Sequence, residues 1–451
     1  MRIFLASLLL AGCGSVKDSG APVDAPVDVS TVDADTSGNA TVSTKGALFS
    51  QSFTATVPDV DLISNLPNNM VFATGKSDAG GAASIKVFPG GSLTAAYKHP
   101  SDMGFDFVTF VGVKPGETLE FGNRNPIFTC PPAPAVCNPL LGAVTYNWSV
   151  QGGSNRTFVL GSCASASVDA PTATVARDEF PSCAHNPLDT IFLAITGTAV
   201  TGCTTRQNVA FPGPVSGGTP ASAPFAVTAN ITGMPAEVTS VSTQFSAVID
   251  NQFERNVNVV TGFARANGTS SGGAFTGNFQ YCNIGERTAA TLQMNRPGFI
   301  NMRVVDSLPS SAASWTVASP QLPPFVENNG ILVSPTQRRA EWVLSSTTAT
   351  HDAVLMTFSW SVNIGGVFHQ SFWYFILPPG TNEVTMPKLP ATFDAIMPQA
   401  EFGLGFQNIR TVEIPTVSGY DAYRAQGAAT ALCPECAVRA GDIQRVIFSG
   451  F

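Results

Sequence analysis

Charge is scarce in this chain. Only 12% of its 451 residues are Asp, Glu, Lys or Arg, about half the ~25% of an ordinary soluble protein. That scarcity argues against exposed helices laced with i,i+4 ion pairs. The surface must instead be covered by Ser, Thr, Asn, Gln and Gly, which suits exposed antiparallel sheets. Lys and Arg number 23 against 31 Asp and Glu, a formal net charge of −8. The electrostatic drive toward nucleic acid, which needs clustered cations, is therefore missing. Histidine is rarer still. His99, His185, His351 and His369 are the only four, and no two stand in an H-x-x-x-H pair, so no metal centre is marked. His351 adjoins Asp352, but neighbours on a strand face opposite ways. Six tyrosines are few for the aromatic girdles of a transmembrane barrel, and Arg445 and Ser449 break the alternation a terminal barrel strand would show.

Glycine (41) and proline (33) are plentiful. They fall between apolar runs and punctuate many short strands. Hydrophobic residues reach 44%, ample for cores, and a prior of ~150 residues per domain suggests about three domains. The expected fold class is all-β, a series of β-sandwich domains of transthyretin or immunoglobulin type, with little helix.

The chain opens Met1-Arg2, continues with the apolar run Ile3 to Leu10, and reaches Ala11-Gly12-Cys13. A cation, a short apolar stretch and small residues before a cleavage point make a secretory signal. The run is too short to span a bilayer, which takes ~20 residues. Leu10-Ala11-Gly12-Cys13 resembles the lipobox of bacterial lipoproteins. The resemblance implies residues 1–12 as signal peptide, acylation of Cys13 (palmitate-type chains), and anchoring in a membrane through several chains. With Gly14 in place of an aspartate after the cysteine, it implies the outer membrane or cell surface. Residues 13–43 then read as an acidic, disordered tether. It carries the direct repeat Ala21-Pro22-Val23-Asp24 and Ala25-Pro26-Val27-Asp28, has no aromatic residue, and cannot bury enough apolar surface to order itself. Asp33, Asp35 and Ser37 are spaced like the start of a calcium loop, but the twelfth position is Thr44 rather than Glu.

Three β-rich segments follow. In 44–124, strands are expected over Met70 to Gly75, Ala83 to Phe88, Leu93 to Tyr97 and a hairpin from Phe105 to Phe121, broken every 8–12 residues by Gly/Pro turns. Ser77-Asp78-Ala79-Gly80-Gly81, then Phe88-Pro89-Gly90-Gly91, then a strand to Tyr97, resembles the carboxypeptidase-regulatory-like (transthyretin-like) sandwich, an accessory fold without catalysis of its own. Segment 125–222 holds five cysteines, with strands over Thr145 to Val150, Arg156 to Leu160, Thr190 to Ile195 and Asn208 to Phe211. Segment 223–451 is the largest β-domain. Its clearest element is a hairpin with Val354, Met356, Phe358, Trp360 and Val362 on one face, a turn at Asn363-Ile364-Gly365-Gly366, and a return strand Val367 to Leu377 that is apolar on both faces and expected to be buried. The whole plan is similar to surface lipoproteins of myxobacterial type, which implies location and architecture without an activity.

Beyond Cys13, eight cysteines remain: Cys130, Cys137, Cys163, Cys183, Cys203, Cys282, Cys433 and Cys436. An even count in an exported chain reads as disulfide bonds. Cys130 with Cys137 and Cys163 with Cys183 are the local pairings. Cys433-Pro434-Glu435-Cys436 reads as a structural disulfide. A redox site would need a helix start after a strand, and a zinc knuckle a second pair. Gly268-Thr269-Ser270-Ser271-Gly272 matches G-x-S-x-G, but no helix is expected after it, so it reads as a hairpin turn. Trp342, Trp360 and Trp373 are the candidate ligand-binding residues, as flat rings for a glycan, against the reading that they fill a core. No catalytic residue, metal site or cofactor is expected. The expected role is non-catalytic binding or scaffolding at the cell envelope, with a carbohydrate-binding or glycan-active protein as the alternative. The expected partners are the membrane, through Cys13, and a protein or glycan.

Overall fold

The computed structural model describes residues 36–48, 52–99, 104–123, 225–234, 238–251, 254–259, 266–268, 273–281, 287–296, 300–318, 323–327, 331–345, 350–398 and 403–450, with the backbone of seven strands between 144 and 216. The fold is all-β, in several sheets, and Ser37–Phe451 form one compact unit. The organising element is a thirteen-stranded sheet. From its middle to one edge it runs from Arg445–Gly450 through Gly405–Glu413, Ala353–Ile364, Val367–Leu377 and Phe105–Val113 to Gly91–Lys98, Asp61–Asn65 and Val71–Lys76.

The join at Val367–Leu377 matters most. That strand pairs in parallel with Phe105–Val113, Phe372 opposite Asp106 and Ile376 opposite Phe110. The 44–124 and 223–451 segments thus share one sheet. Phe105–Val113 does not pair with the next strand, Thr118–Asn123, which runs parallel to Gly38–Leu48 in a second sheet. The expected hairpin is instead an arch between layers. Its turn rests on Gly116, at φ 82°, a value glycine adopts without Cβ strain.

Both faces of the central strands are covered, which is why they are apolar on both sides. On one face Leu62, Leu93, Val108 and Phe110 meet Val42, Ile85 and Phe121 of the second sheet, and Leu355, Val412 and Phe448 meet residues of three short helices. These are α1 (Tyr420–Arg424), α2 (Ala428–Leu432) and α3 (Pro434–Ala440). On the other face Phe107, Phe358, Trp360 and Trp373 pack with Trp342, Phe393 and Met397. A third core lies between Ser240–Asn251, Arg287–Arg296 and Ile300–Pro309 of the large sheet and the small sheet of Phe225–Thr232, Phe275–Tyr281 and Ser314–Ala318.

Ala353–Ile364 and Val367–Leu377 form the expected hairpin, in register from Val354–Leu377 to Ile364–Val367. The turn is Gly365-Gly366, with φ 61° and 87°, and the Asn363 Oδ1 accepts the Gly366 N–H at 2.9 Å. Two positive-φ residues match the twist of the flanking strands. The return strand departs from its expected burial: Val367 and Phe368 are exposed, and only its second half is interior.

Candidate functional site

A cleft of about 470 Å³ opens at the end of this hairpin opposite the turn, lined by His351, Asp352, Gly380, Glu413, Ser418 and Gly419. His351 and Asp352 precede the strand and are both buried. They line the same cleft because alternation begins only where the strand does, which corrects the opposite-face expectation. Asp352 is a clip. Its N–H donates to Val412 O at 2.8 Å. Its Oδ2 accepts the Ile414 N–H at 2.8 Å and its Oδ1 the Gly419 N–H at 3.0 Å. Both carboxylate oxygens are thus committed to the 414–419 loop. The His351 Nε2 accepts the Gly380 N–H at 3.0 Å, which holds the segment after the hairpin.

Burial pushes the Asp352 carboxyl up, opposed by its two backbone hydrogen bonds. Glu413 is pushed up to about 7, first by burial and then by repulsion from Asp352. The pair can hold a proton near neutrality. Pairing of Ala353 with Val412 sets the two carboxylates side by side, and the loop after Glu413 returns to bond Asp352. Asp352 and Ile414 stand 62 positions apart, and nothing local in the sequence links Glu413 to the site.

The loop is held from its other end by α1. The Arg424 guanidinium, 1% exposed, donates to Gly112 O at 2.9 Å, to Glu117 at 2.5 Å and to Asp421 at 2.8 Å, and its carbon lies 4.6 Å from the Tyr420 ring centre. Asp421 also pairs with Lys114. These contacts tie α1 to the Lys114–Glu117 turn.

The three tryptophans are core residues. Trp342, Trp360 and Trp373 are 2%, 3% and 0% exposed. Trp373 stacks on Phe375, with ring centres 5.3 Å apart, and lies 4.9 Å from Phe107. Its Nε1 donates to Thr109 Oγ1 at 2.7 Å, and Thr109 is bonded in turn to Thr94. The Trp360 Nε1 donates to Ile396 O at 2.6 Å. None offers a ring face to solvent, so the expected stacking platform for a glycan is not formed by these residues. Trp360 and Trp373 are turned inward by their strands, with the indole N–H of each satisfied as burial requires.

Cys433 and Cys436 are joined by a disulfide, with Cα atoms 5.2 Å apart. The motif does begin a helix, Cys433 capping α3 and Pro434 at its first turn. A helix precedes it rather than a strand, and both residues are buried. Cys203 lies in the strand Ala199–Val209, opposite Leu193. Cys13, Cys130, Cys137, Cys163, Cys183 and Cys282 lie outside the described residues, as do Thr269 to Gly272 of the G-x-S-x-G segment. The strands flanking that segment belong to different sheets, Ala266–Gly268 pairing Ser240–Asn251 and Phe275–Tyr281 pairing Phe225–Thr232. A strand, Phe275–Tyr281, and not a helix, follows the segment. Among the described residues no cluster of three metal-ligating side chains occurs, and no helix is long and apolar enough to cross a membrane.

No protein-family model and no curated protein matches the chain. Solved structures give distant likenesses. The Bacillus anthracis TIE protein is 11% identical over 63% of this chain and 50% of that one, with a TM-score of 0.14. A streptococcal ancillary pilin is 8% identical over 63% of this chain and 99% of that one, at 0.13. Two B repeat units of the collagen-binding protein CNA of Staphylococcus aureus are 11% identical over 78% of this chain and 94% of that one, at 0.14. The chain spans half the length of the first of these.

Proposed function

We propose that this chain is a lipid-anchored protein of the bacterial cell surface with a non-catalytic binding or scaffolding role. The observation that carries the reading is Leu10-Ala11-Gly12-Cys13 followed by the acidic, Pro-containing segment up to the compact β unit that begins at Ser37. Acyl chains on Cys13 would hold the chain at a bilayer, each buried methylene contributing ~0.8 kcal/mol. The segment after it would act as tether. The buried Cys433–Cys436 bond supports an oxidising location outside the cytoplasm. The non-catalytic part of the reading is supported by the cleft, where Asp352 and His351 are engaged by backbone amides.

The test is Cys13→Ser, followed by labelling with a palmitate analogue and membrane fractionation. Loss of label and release from the membrane fraction are expected. A variant that stays labelled and pellets like the parent would end the lipid-anchor reading. The binding role has a separate test, titration of intrinsic tryptophan fluorescence with a polysaccharide panel. The signal should stay flat, and a saturable shift would restore the glycan reading.

A further inference from the structure

The tip of the central hairpin carries a feature that fold stability does not require. Ile364, Val367 and Phe368 are 37%, 48% and 65% exposed and stand together at the Gly365-Gly366 turn. No Asp, Glu, Lys or Arg occurs anywhere from 353 to 377. Among the described residues, ladder pairing to the flanking strands stops short of the turn. On one side pairing with the sheet ends at Ser359–Gly405, and on the other at Phe372–Asp106. Beyond those points, among the described residues, the arms pair only with each other. Exposed, uncharged apolar strand ends are an aggregation hazard that proteins usually blunt with a lysine or a proline. This one has neither.

We propose that this tip inserts into the surface of a lipid bilayer. Size favours lipid over a second copy of the chain. Three side chains at a turn expose a few hundred Å² at most, well short of the ~800 Å² each partner gives to a stable protein interface. A bilayer needs no complementary shape, and binding scales with the apolar area immersed. At the turn itself Ile364 and Val367 are paired and Asn363 accepts the Gly366 N–H, so the tip can be immersed only to interfacial depth, where the outward-facing backbone groups of Asn363 and Phe368 stay hydrated.

The position of the tip sets the geometry. Gly38, at the start of the compact unit, abuts Pro115 in the turn after Val113. Phe105–Val113 runs parallel to Val367–Leu377, so the chain enters the unit at the end remote from the tip. Ten residues separate Val367 from Leu377 along the strand, ~33 Å at 3.3 Å per residue. The segment from Gly14 to Asp35 can span up to ~75 Å, enough for one molecule to be held at Cys13 and to touch the same bilayer with its tip. The net charge of −8 gives no attraction to anionic lipid, so the contact is apolar and insensitive to salt.

The test uses the chain from Gly14 onward, which keeps all three cores but lacks the leader and the acylated cysteine. It is floated with phosphatidylcholine–phosphatidylethanolamine vesicles at millimolar lipid. The parent should co-float equally at low and high salt. Phe368→Asp should lower the partition coefficient at least ~10-fold, about 1.4 kcal/mol, while Leu332→Asp, at an exposed apolar site on a different sheet, should leave it unchanged. Phe368→Trp should give a blue-shifted emission quenched by brominated lipid. A parent that does not co-float would overturn the proposal. So would equal losses in the two aspartate variants, or a parent dimer in sedimentation equilibrium that Phe368→Asp dissolves. The last outcome would assign the tip to self-association. Success or failure here is independent of Cys13 acylation, which the truncated chain lacks.

Discussion

Glu413→Gln should make the protein more stable, but only at neutral and alkaline pH. Burial and the neighbouring Asp352 carboxylate raise Glu413 from 4.5 to about 7. The folded state therefore holds a proton that the unfolded chain has released between those two values. Stability from this group is complete below about pH 4.5 and is lost as pH rises through about 7. At full weight the gap amounts to ~3.4 kcal/mol. The cleft is open to solvent, and screening reduces that to ~1–2 kcal/mol. Glutamine keeps the shape of protonated Glu413 and cannot ionise. The variant should match the parent near pH 4.5 and exceed it by ~1–2 kcal/mol at pH 8.5, a rise of a few degrees in thermal midpoint. Thermal unfolding of both proteins at half-unit pH steps checks this. Adding Asp352→Asn to Glu413→Gln would set an amide NH2 against one of the two backbone N–H groups that the carboxylate accepts, so the double variant should be less stable than Glu413→Gln at pH 8.5, where Asp352 is ionised. A stability difference that is flat with pH, or one that favours the parent at pH 8.5, would refute the reasoning.

Three further perturbations address the frame around the cleft. Trp373→Ala empties a fully buried site and removes one of the two hydrogen bonds at Thr109 Oγ1, so a loss of ~3–5 kcal/mol is expected in denaturant unfolding. Arg424→Met leaves Glu117 and Gly112 O without their buried cation and should cost ~3–5 kcal/mol, with faster proteolysis in the 414–424 segment as the local readout. Replacing Cys433 and Cys436 together by alanine opens a very short loop and should cost ~2 kcal/mol. The native parent should resist reduction and thiol labelling at this pair until it unfolds, since both residues are buried.

Local pattern carries a good part of this architecture. The strands Gly91–Lys98 and Ala353–Ile364 and the glycine-bearing turns at Asp78 and Gly365-Gly366 were legible because alternation and positive-φ turns are properties of a few consecutive residues. The candidate cleft was not legible. Its carboxylates meet only because Gly405–Glu413 pairs with Ala353–Ile364 in a register, Ala353 opposite Val412, that sets Glu413 beside Asp352, and no short-range signal encodes that pairing. The tryptophans show the same limit from the other side. An apolar run predicts burial or a binding face equally well, and only the covering layer of Phe393, Met397 and Trp342 tells them apart. The sequence by itself determined the scarcity of charge, the all-β class, the Leu10 to Cys13 motif and the uncharged hairpin. Tertiary structure alone decided the parallel pairing of Phe105–Val113 with Val367–Leu377. A strand's pattern specifies which face it buries but not which distant strand it lies beside; that choice is made by the cores that close on both faces of the sheet at once.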